Sequence, residues 1–217
     1  MSLLRNSFLT LFVVSGLLTL FSCGEETERK ALISTDYGDI TIMLYNSTPK
    51  HRDNFIKLVK EGYFDGLLFH RVIDSFMIQG GDPNSKNATP GALLGEGNPG
   101  YEIDAEIGAP HLRGAIGAAR TPNPGKKSNG SQFYIVTGTS QNENELEYYE
   151  RSKKITYSES QRKIYDEEGG YPSLDMEYTV FGEVVSGMEI VDKIDALEKD
   201  NHDRPVKDVR MKIKMIN

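Results

Sequence analysis

Apolar and polar residues alternate through ALISTDYGDITIMLY (31–45) on both sides of Tyr37-Gly38-Asp39, which predicts a β-hairpin. The period then changes. Pro49 opens PKHRDNFIKLVKEGY, where Phe55, Leu58, Val59 and Gly62 suit a helix of about three turns, with the proline accommodated in its first turn. Two short apolar runs, LLFHRVI (67–73) and FMIQGG (76–81), predict strands, and a Gly-, Pro- and Asn-rich loop covers 82–100. HLRGAIGAA (111–119) and SQFYIVTG (131–138) read as further strands. Residues 141–170 are polar, charged and rich in tyrosine at helical spacing, which predicts one or two exposed helices inserted between strands. YTVFGEVVSG (178–187) predicts a strand, GMEIVDKIDALEK (187–199) a helix, and VKDVRMKIKMI (206–216) a last alternating strand. Strands outnumber helices, and neither a βαβ rhythm nor an internal repeat is present. The pattern predicts a mainly antiparallel sheet closed into a barrel, with helices covering its ends.

Composition narrows the function classes. The chain has 217 residues, enough for one domain with a sizeable core, and 38% hydrophobic with 26% charged residues is globular material. A net charge of −7 without a basic stripe argues against nucleic-acid binding. The N-terminal MSLLRNSFLTLFVVSGLLTLFSC has a positive start at Arg5, an apolar run from Phe8 to Phe21, and the chain's only cysteine, Cys23, where cleavage is expected. Leu20 and Ser22 flank that position as in a bacterial lipobox, with an atypical Phe21 between them. The reading is a lipoprotein signal peptide over 1–22, a lipid-carrying Cys23, a polar tether over 23–30, and one domain over 31–217 that carries the 141–170 insertion. Arg5 is the only charge in 1–22, so cleavage takes the net charge from −7 to −8. The expected location is the cell envelope, with the membrane reached through the N-terminal lipid.

Several motif matches carry no chemistry. Gly95-Glu-Gly97-Asn-Pro-Gly100 fits a dinucleotide-binding spacing, but no predicted strand precedes it, no helix follows, and Pro99 interrupts it. His51, His70, His111 and His202 are isolated from one another and from Cys23, so no metal spacing exists. No serine sits in a nucleophile elbow.

LFHRVIDSFMIQGGD (68–82) is different: an arginine and a glutamine sit inside an apolar segment. It resembles the signature of the cyclophilin family of peptidyl-prolyl cis/trans isomerases. NGSQFYI (129–135) and YTVFGEVVSGMEIVDKI (178–194) are similar to that family's next two blocks, in the same order. The resemblance covers roughly 31–217 apart from the insertion. It implies an eight-stranded antiparallel barrel capped by two helices, no cofactor and no metal. It also implies monomeric action on proline-containing polypeptides, here exported proteins. Matched residue by residue, the family's catalytic positions fall on Arg71, Phe76 and Gln79. Its substrate-binding positions fall on Met77, Ala119, Gln132, Tyr134, Leu174 and Tyr178. Tyr134 stands where Phe is commoner, Tyr178 where the family has His, Arg120 where it has Asn, and Ser173 where it occasionally has Trp.

The chemistry explains these residue types. Rotation about X–Pro must overcome a barrier of about 18–20 kcal/mol from amide resonance. No bond is made or broken, so neither nucleophile nor metal is needed. At the twisted transition state the prolyl nitrogen regains its lone pair, and a fixed cationic donor such as Arg71 interacts with it more strongly than with the planar ground state. Apolar neighbours hold the ring. The reading also fixes a register: a loop of Asp74, Ser75 and Phe76 sets Arg71 opposite Gln79, whereas a two-residue loop sets it opposite Ile78. A second reading is a binding module of the same fold that grips proline-containing segments without useful turnover.

Overall fold

A computed structural model describes residues 29–216. In chain order it contains β1 (Arg29–Thr35), β2 (Gly38–Leu44), α1 (Pro49–Lys60), β3 (Phe69–Ile73), β4 (Met77–Gly80), β5 (Glu102–Ile103), β6 (Ala115–Ala118), β7 (Ser128–Asn129), β8 (Phe133–Val136), α2 (Glu143–Lys153), α3 (Glu159–Glu167), β9 (Val180–Ser186), α4 (Met188–Asp195) and β10 (Met211–Ile216). The signal peptide, Cys23 and most of the tether lie outside the described residues.

Eight strands form one antiparallel sheet in the order β10-β1-β2-β9-β6-β8-β4-β3, and β5 pairs separately with β7. The expected closed barrel is corrected here. The sheet curls into a half-barrel, and no continuous ladder joins its end strands β3 and β10. The two ends meet through a single bridge, Leu68 with Arg210, flanked by Phe69 N–H to the Val209 carbonyl at 3.0 Å and Met211 N–H to the Leu67 carbonyl at 2.8 Å. Backbone groups left at the sheet ends are partly satisfied there, which is what a buried strand edge requires.

The concave interior is filled by alternate residues. Ile33, Ile40, Ile42, Leu44, Val72, Ile78, Ile116 and Ile135 are all essentially inaccessible. α1 buries Phe55, Leu58 and Val59 there, and Phe55 meets Phe64, Phe133 and Phe181 with ring centroids 5.1–5.7 Å apart. α4 buries Ile190, Val191 and Ile194. α1 and α4 are the two helices on the sheet.

Because side chains alternate with period two, the same strands present a second face away from this core. Met77, Tyr134, Val136 and Val180 form a smaller cluster there, with Phe76, Ala119, Leu174 and Tyr178 at its margin. Between β8 and β9 the chain departs into α2 and α3. Each opens with a reciprocal cap, Asn142 with Glu145 and Ser158 with Gln161, and Arg162 ties them by bonding Glu143 and Glu150. The expectation that this segment is simply exposed is corrected. Leu146, Tyr157 and Tyr165 are buried, and they form a third cluster with Leu112, Tyr149 and Ile155.

Candidate active site

The second face carries a row of residues set by strand register. Arg71 on β3 pairs with Gln79 on β4, Gln79 with Tyr134 on β8, and Tyr134 with Gly117 on β6. The three-residue loop is therefore the one formed. Ser75 takes φ 57° in it and donates its N–H to Asp195 Oδ2 at 3.1 Å, and the Phe76 carbonyl accepts from Thr137 at 3.0 Å. This fixes Phe76 on the same side as Met77. Gly117 has no substitute in this row. A Cβ there would lie 2.1 Å from Tyr134 Cζ, so only glycine lets the tyrosine ring cross β6.

Hydrogen bonds orient the polar members. Arg71 Nη1 donates to Gln79 Oε1 at 3.3 Å, and Gln79 Nε2 donates to Gln132 Oε1 at 2.9 Å. Gln132 Nε2 donates to the carbonyls of Gly95 and Gly97 at 2.8 and 2.7 Å. A guanidinium only donates and a carbonyl only accepts, so both amide orientations are determined by the two ends of the chain. Arg71 Nε also lies 3.8 Å from Asp203 Oδ2, and its side chain remains 42% exposed. The cation is thus steered but not buried.

Arg71, Phe76, Met77, Gln79, Ala119, Tyr134, Leu174 and Tyr178 line one cleft of ≈ 290 Å³. Gln132 lines an adjoining cavity of ≈ 220 Å³ that shares Gln79, Ala119 and Arg120 with the first. Every matched catalytic and substrate-binding position therefore converges on one region. Phe76 is backed by Tyr171, with centroids 4.3 Å apart. The Ala119 N–H and carbonyl are already engaged by the Gln132 carbonyl at 3.0 Å and the Asn129 N–H at 2.8 Å. Its carbonyl keeps a second lone pair for a ligand. Arg120 does not reach into the cleft as a free cation. Its guanidinium lies over the Tyr178 ring at 4.6 Å and bonds the Glu177 carbonyl and carboxylate at 3.1 and 3.3 Å.

Sequence reasoning missed Leu94, Gly95 and Glu96, which close the cleft from the 82–100 loop. The signal was in the motif itself. Asp82 ends it, is fully buried, and gathers the loop by accepting N–H bonds from Asn84 at 2.7 Å, Gly95 at 2.5 Å and Gly97 at 3.4 Å. Also missed was the support behind Tyr134. Its hydroxyl lies 2.9 Å from His111 Nε2, and burial pushes its pKa well above 10, so it remains a phenol. Among the described residues no three His, Cys, Asp or Glu side chains converge as a metal ion requires.

A family model described as cyclophilin type peptidyl-prolyl cis-trans isomerase/CLD matches residues 30–215. A Staphylococcus aureus (strain COL) protein described as a candidate peptidyl-prolyl cis-trans isomerase is 35% identical over 189 residues, covering 85% of this chain and 90% of its own length. A Streptococcus pyogenes serotype M6 protein, described as a candidate bifunctional phosphatase/peptidyl-prolyl cis-trans isomerase, is 36% identical over 196 residues. The chain spans only 37% of that relative's length. A crystal structure of a Cryptosporidium parvum cyclophilin type peptidyl-prolyl cis-trans isomerase matches with TM-score 0.61 and 27% identity, over 88% of this chain and 99% of that one. A second crystal structure of that protein, in the presence of the dipeptide Ala-Pro, matches with the same TM-score. The chain belongs to the cyclophilin type peptidyl-prolyl cis-trans isomerase family, and its activity is the cis/trans isomerisation of peptidyl-prolyl bonds.

Proposed function

We propose that the ≈ 290 Å³ cleft is where this isomerisation occurs, that Arg71 is its catalytic cation, that the clients are exported proteins, and that a lipid on Cys23 holds this isomerase at the cell envelope. The observation that carries the site is the register-locked row Arg71–Gln79–Tyr134, which sets a half-exposed guanidinium beside apolar walls. Phe76, Met77, Leu174 and Tyr134 hold the prolyl ring while the preceding residue turns. Arg71 donates to the prolyl nitrogen as it becomes pyramidal, an interaction that grows towards the transition state and so raises the rate rather than only the affinity. Gln79 restrains the guanidinium and, through Gln132, ties it to the Gly95–Gly97 loop. Ala119 and the loop carbonyls align the client backbone.

The envelope role is supported by the N-terminal pattern alone, an apolar run ending at a lone cysteine. The rate is tested with a protease-coupled assay on a short Ala-Pro peptide. Acceleration should be first order in protein and should be competed by excess Ala-Pro dipeptide. A folded protein that gives no acceleration over the uncatalysed reaction would leave the binding-module reading in its place.

A further inference from the structure

The insertion and the proline cleft share one buried hydrogen-bonded chain. Asp175 follows directly after Leu174, a wall of the cleft, and accepts bonds from four donors. The His111 N–H and Nδ1 lie 2.6 and 2.8 Å from its Oδ1, and the hydroxyls of Tyr157 and Tyr165 lie 2.6 and 2.7 Å from its Oδ2. An ionised carboxylate has about four acceptor sites, so this one is filled. His111 Nδ1 must then carry the proton, and Nε2 is left to accept from the Tyr134 hydroxyl at 2.9 Å. His111 and Asp175 are 0% and 2% exposed, and Tyr157 and Tyr165 are 5% and 0% exposed. The His111 ring lies parallel to that of Tyr134 at 6.0 Å and edge-on to Tyr178 at 6.4 Å.

We propose that Asp175 and His111 are positioning residues for the cleft, and that α2 and α3 act on it through them. Tyr157 and Tyr165 fix the Asp175 carboxylate, Asp175 fixes His111, and His111 fixes the Tyr134 hydroxyl and with it the ring against which proline lies. The row position of Tyr134 accounts for why an anchor is needed. Its ring crosses Gly117, which offers no side chain to hold it, so the hydroxyl end supplies the restraint. Burial lowers the His111 pKa, which agrees with a neutral ring accepting at Nε2. The inference rests on the cleft being the isomerisation site, but the geometry of the chain does not.

The experiment has two readouts. In ¹⁵N-histidine spectra of the wild-type protein at neutral pH, His111 should be the neutral Nδ1–H tautomer. An Nε2–H tautomer overturns the proposal whatever the enzyme does. In kinetics, Tyr157→Phe with Tyr165→Phe should raise KM for an Ala-Pro peptide about fivefold with kcat within about twofold, the size expected for one loosened buried hydrogen bond. In a Tyr134→Phe background the same pair should add nothing, because the end of the chain is already cut. A lower melting temperature with unchanged KM, or an equal rise in both backgrounds, reduces the insertion to a structural element and overturns the proposal. If the pair does not fold, Tyr157→Phe alone carries the same cycle. If the wild-type protein shows no turnover, the site assignment falls and the positioning role with it, while the tautomer still tests the Asp175–His111–Tyr134 chain.

Discussion

Arg71 separates catalysis from stability. Its side chain is 42% exposed and holds one hydrogen bond of 3.3 Å, so little folding energy depends on it. Arg71→Ala should lower kcat/KM by about 10²–10³, the usual loss for one preorganised donor, with a melting curve close to wild type. Arg71→Lys should not restore the rate, because an ammonium lacks the fork that can meet Gln79 and substrate together. Retention of more than about a third of the activity by the alanine variant would falsify the role. His70, the neighbouring residue, has the opposite character. Burial lowers its pKa from 6.5 to about 4, against the pull of Asp82. Between those values the unfolded chain binds the proton and the folded chain does not, so stability is complete above pH 6.5 and falls as the pH drops towards 4. The full loss from this residue is on the order of 3 kcal/mol. His51 and His111 shift in the same direction, also through burial. Urea midpoints at pH 7 and 4.5 should therefore differ, and His70→Leu should shrink that difference. An unchanged gap in the variant excludes His70 as a source.

At the scale of elements, α2 and α3 are the part most changed by seeing the structure. Their charged sequence suggests an appendage, yet removing them strips Tyr157 and Tyr165 from Asp175 and uncovers Leu112. Each buried acceptor left short costs about 1–3 kcal/mol, and each kcal/mol lowers the melting midpoint by about 2–4 °C at this chain length. With two such bonds lost, replacing 141–169 by a short linker should lower the midpoint by on the order of 10 °C. A change of only a few degrees would show that the cluster contributes nothing. The contrast with the β3–β4 hairpin is instructive. There the loop length alone decides which residues face each other, so the Arg71–Gln79 pairing is legible from local sequence. Asp175 and His111 are 64 residues apart and Asp175 lies in no predicted element, so no local pattern connects them. Leu94, Gly95 and Glu96 escaped notice because their loop is shaped by backbone N–H groups meeting Asp82, and the one trace of this in the sequence is Asp82 itself at the end of the motif. The open sheet escaped for the same reason. Alternation gives the faces of strands, while closure depends on whether the backbones of β3 and β10 form a ladder, and they meet only through the Leu68–Arg210 bridge just outside both strands and the backbone bonds flanking it.

For the molecule as a whole, the remaining question is where the cleft works. β1 begins at Arg29, so five residues, Gly24 to Glu28, separate Cys23 from the described domain. Even fully extended, such a link spans only about 17–18 Å. A lipid on Cys23 would therefore hold the isomerase against the membrane surface. The net charge of −8 left after cleavage (−7 less the charge of Arg5) offers no electrostatic attraction to anionic lipid, which leaves the acyl group as the source of binding. One acyl chain binds only marginally and two anchor stably, so the prediction is all-or-none in fractionation. The wild-type protein should sediment with membranes and resist high-salt washing. Cys23→Ala should abolish lipid labelling with palmitate and shift the protein to the soluble envelope fraction, with activity on the Ala-Pro peptide unchanged because the cleft lies entirely within the described domain. Globomycin should cause the unprocessed precursor to accumulate. A Cys23→Ala protein that is still processed normally and still membrane-bound sinks the lipid anchor, and the signal would then be an ordinary secretory one with an incidental cysteine.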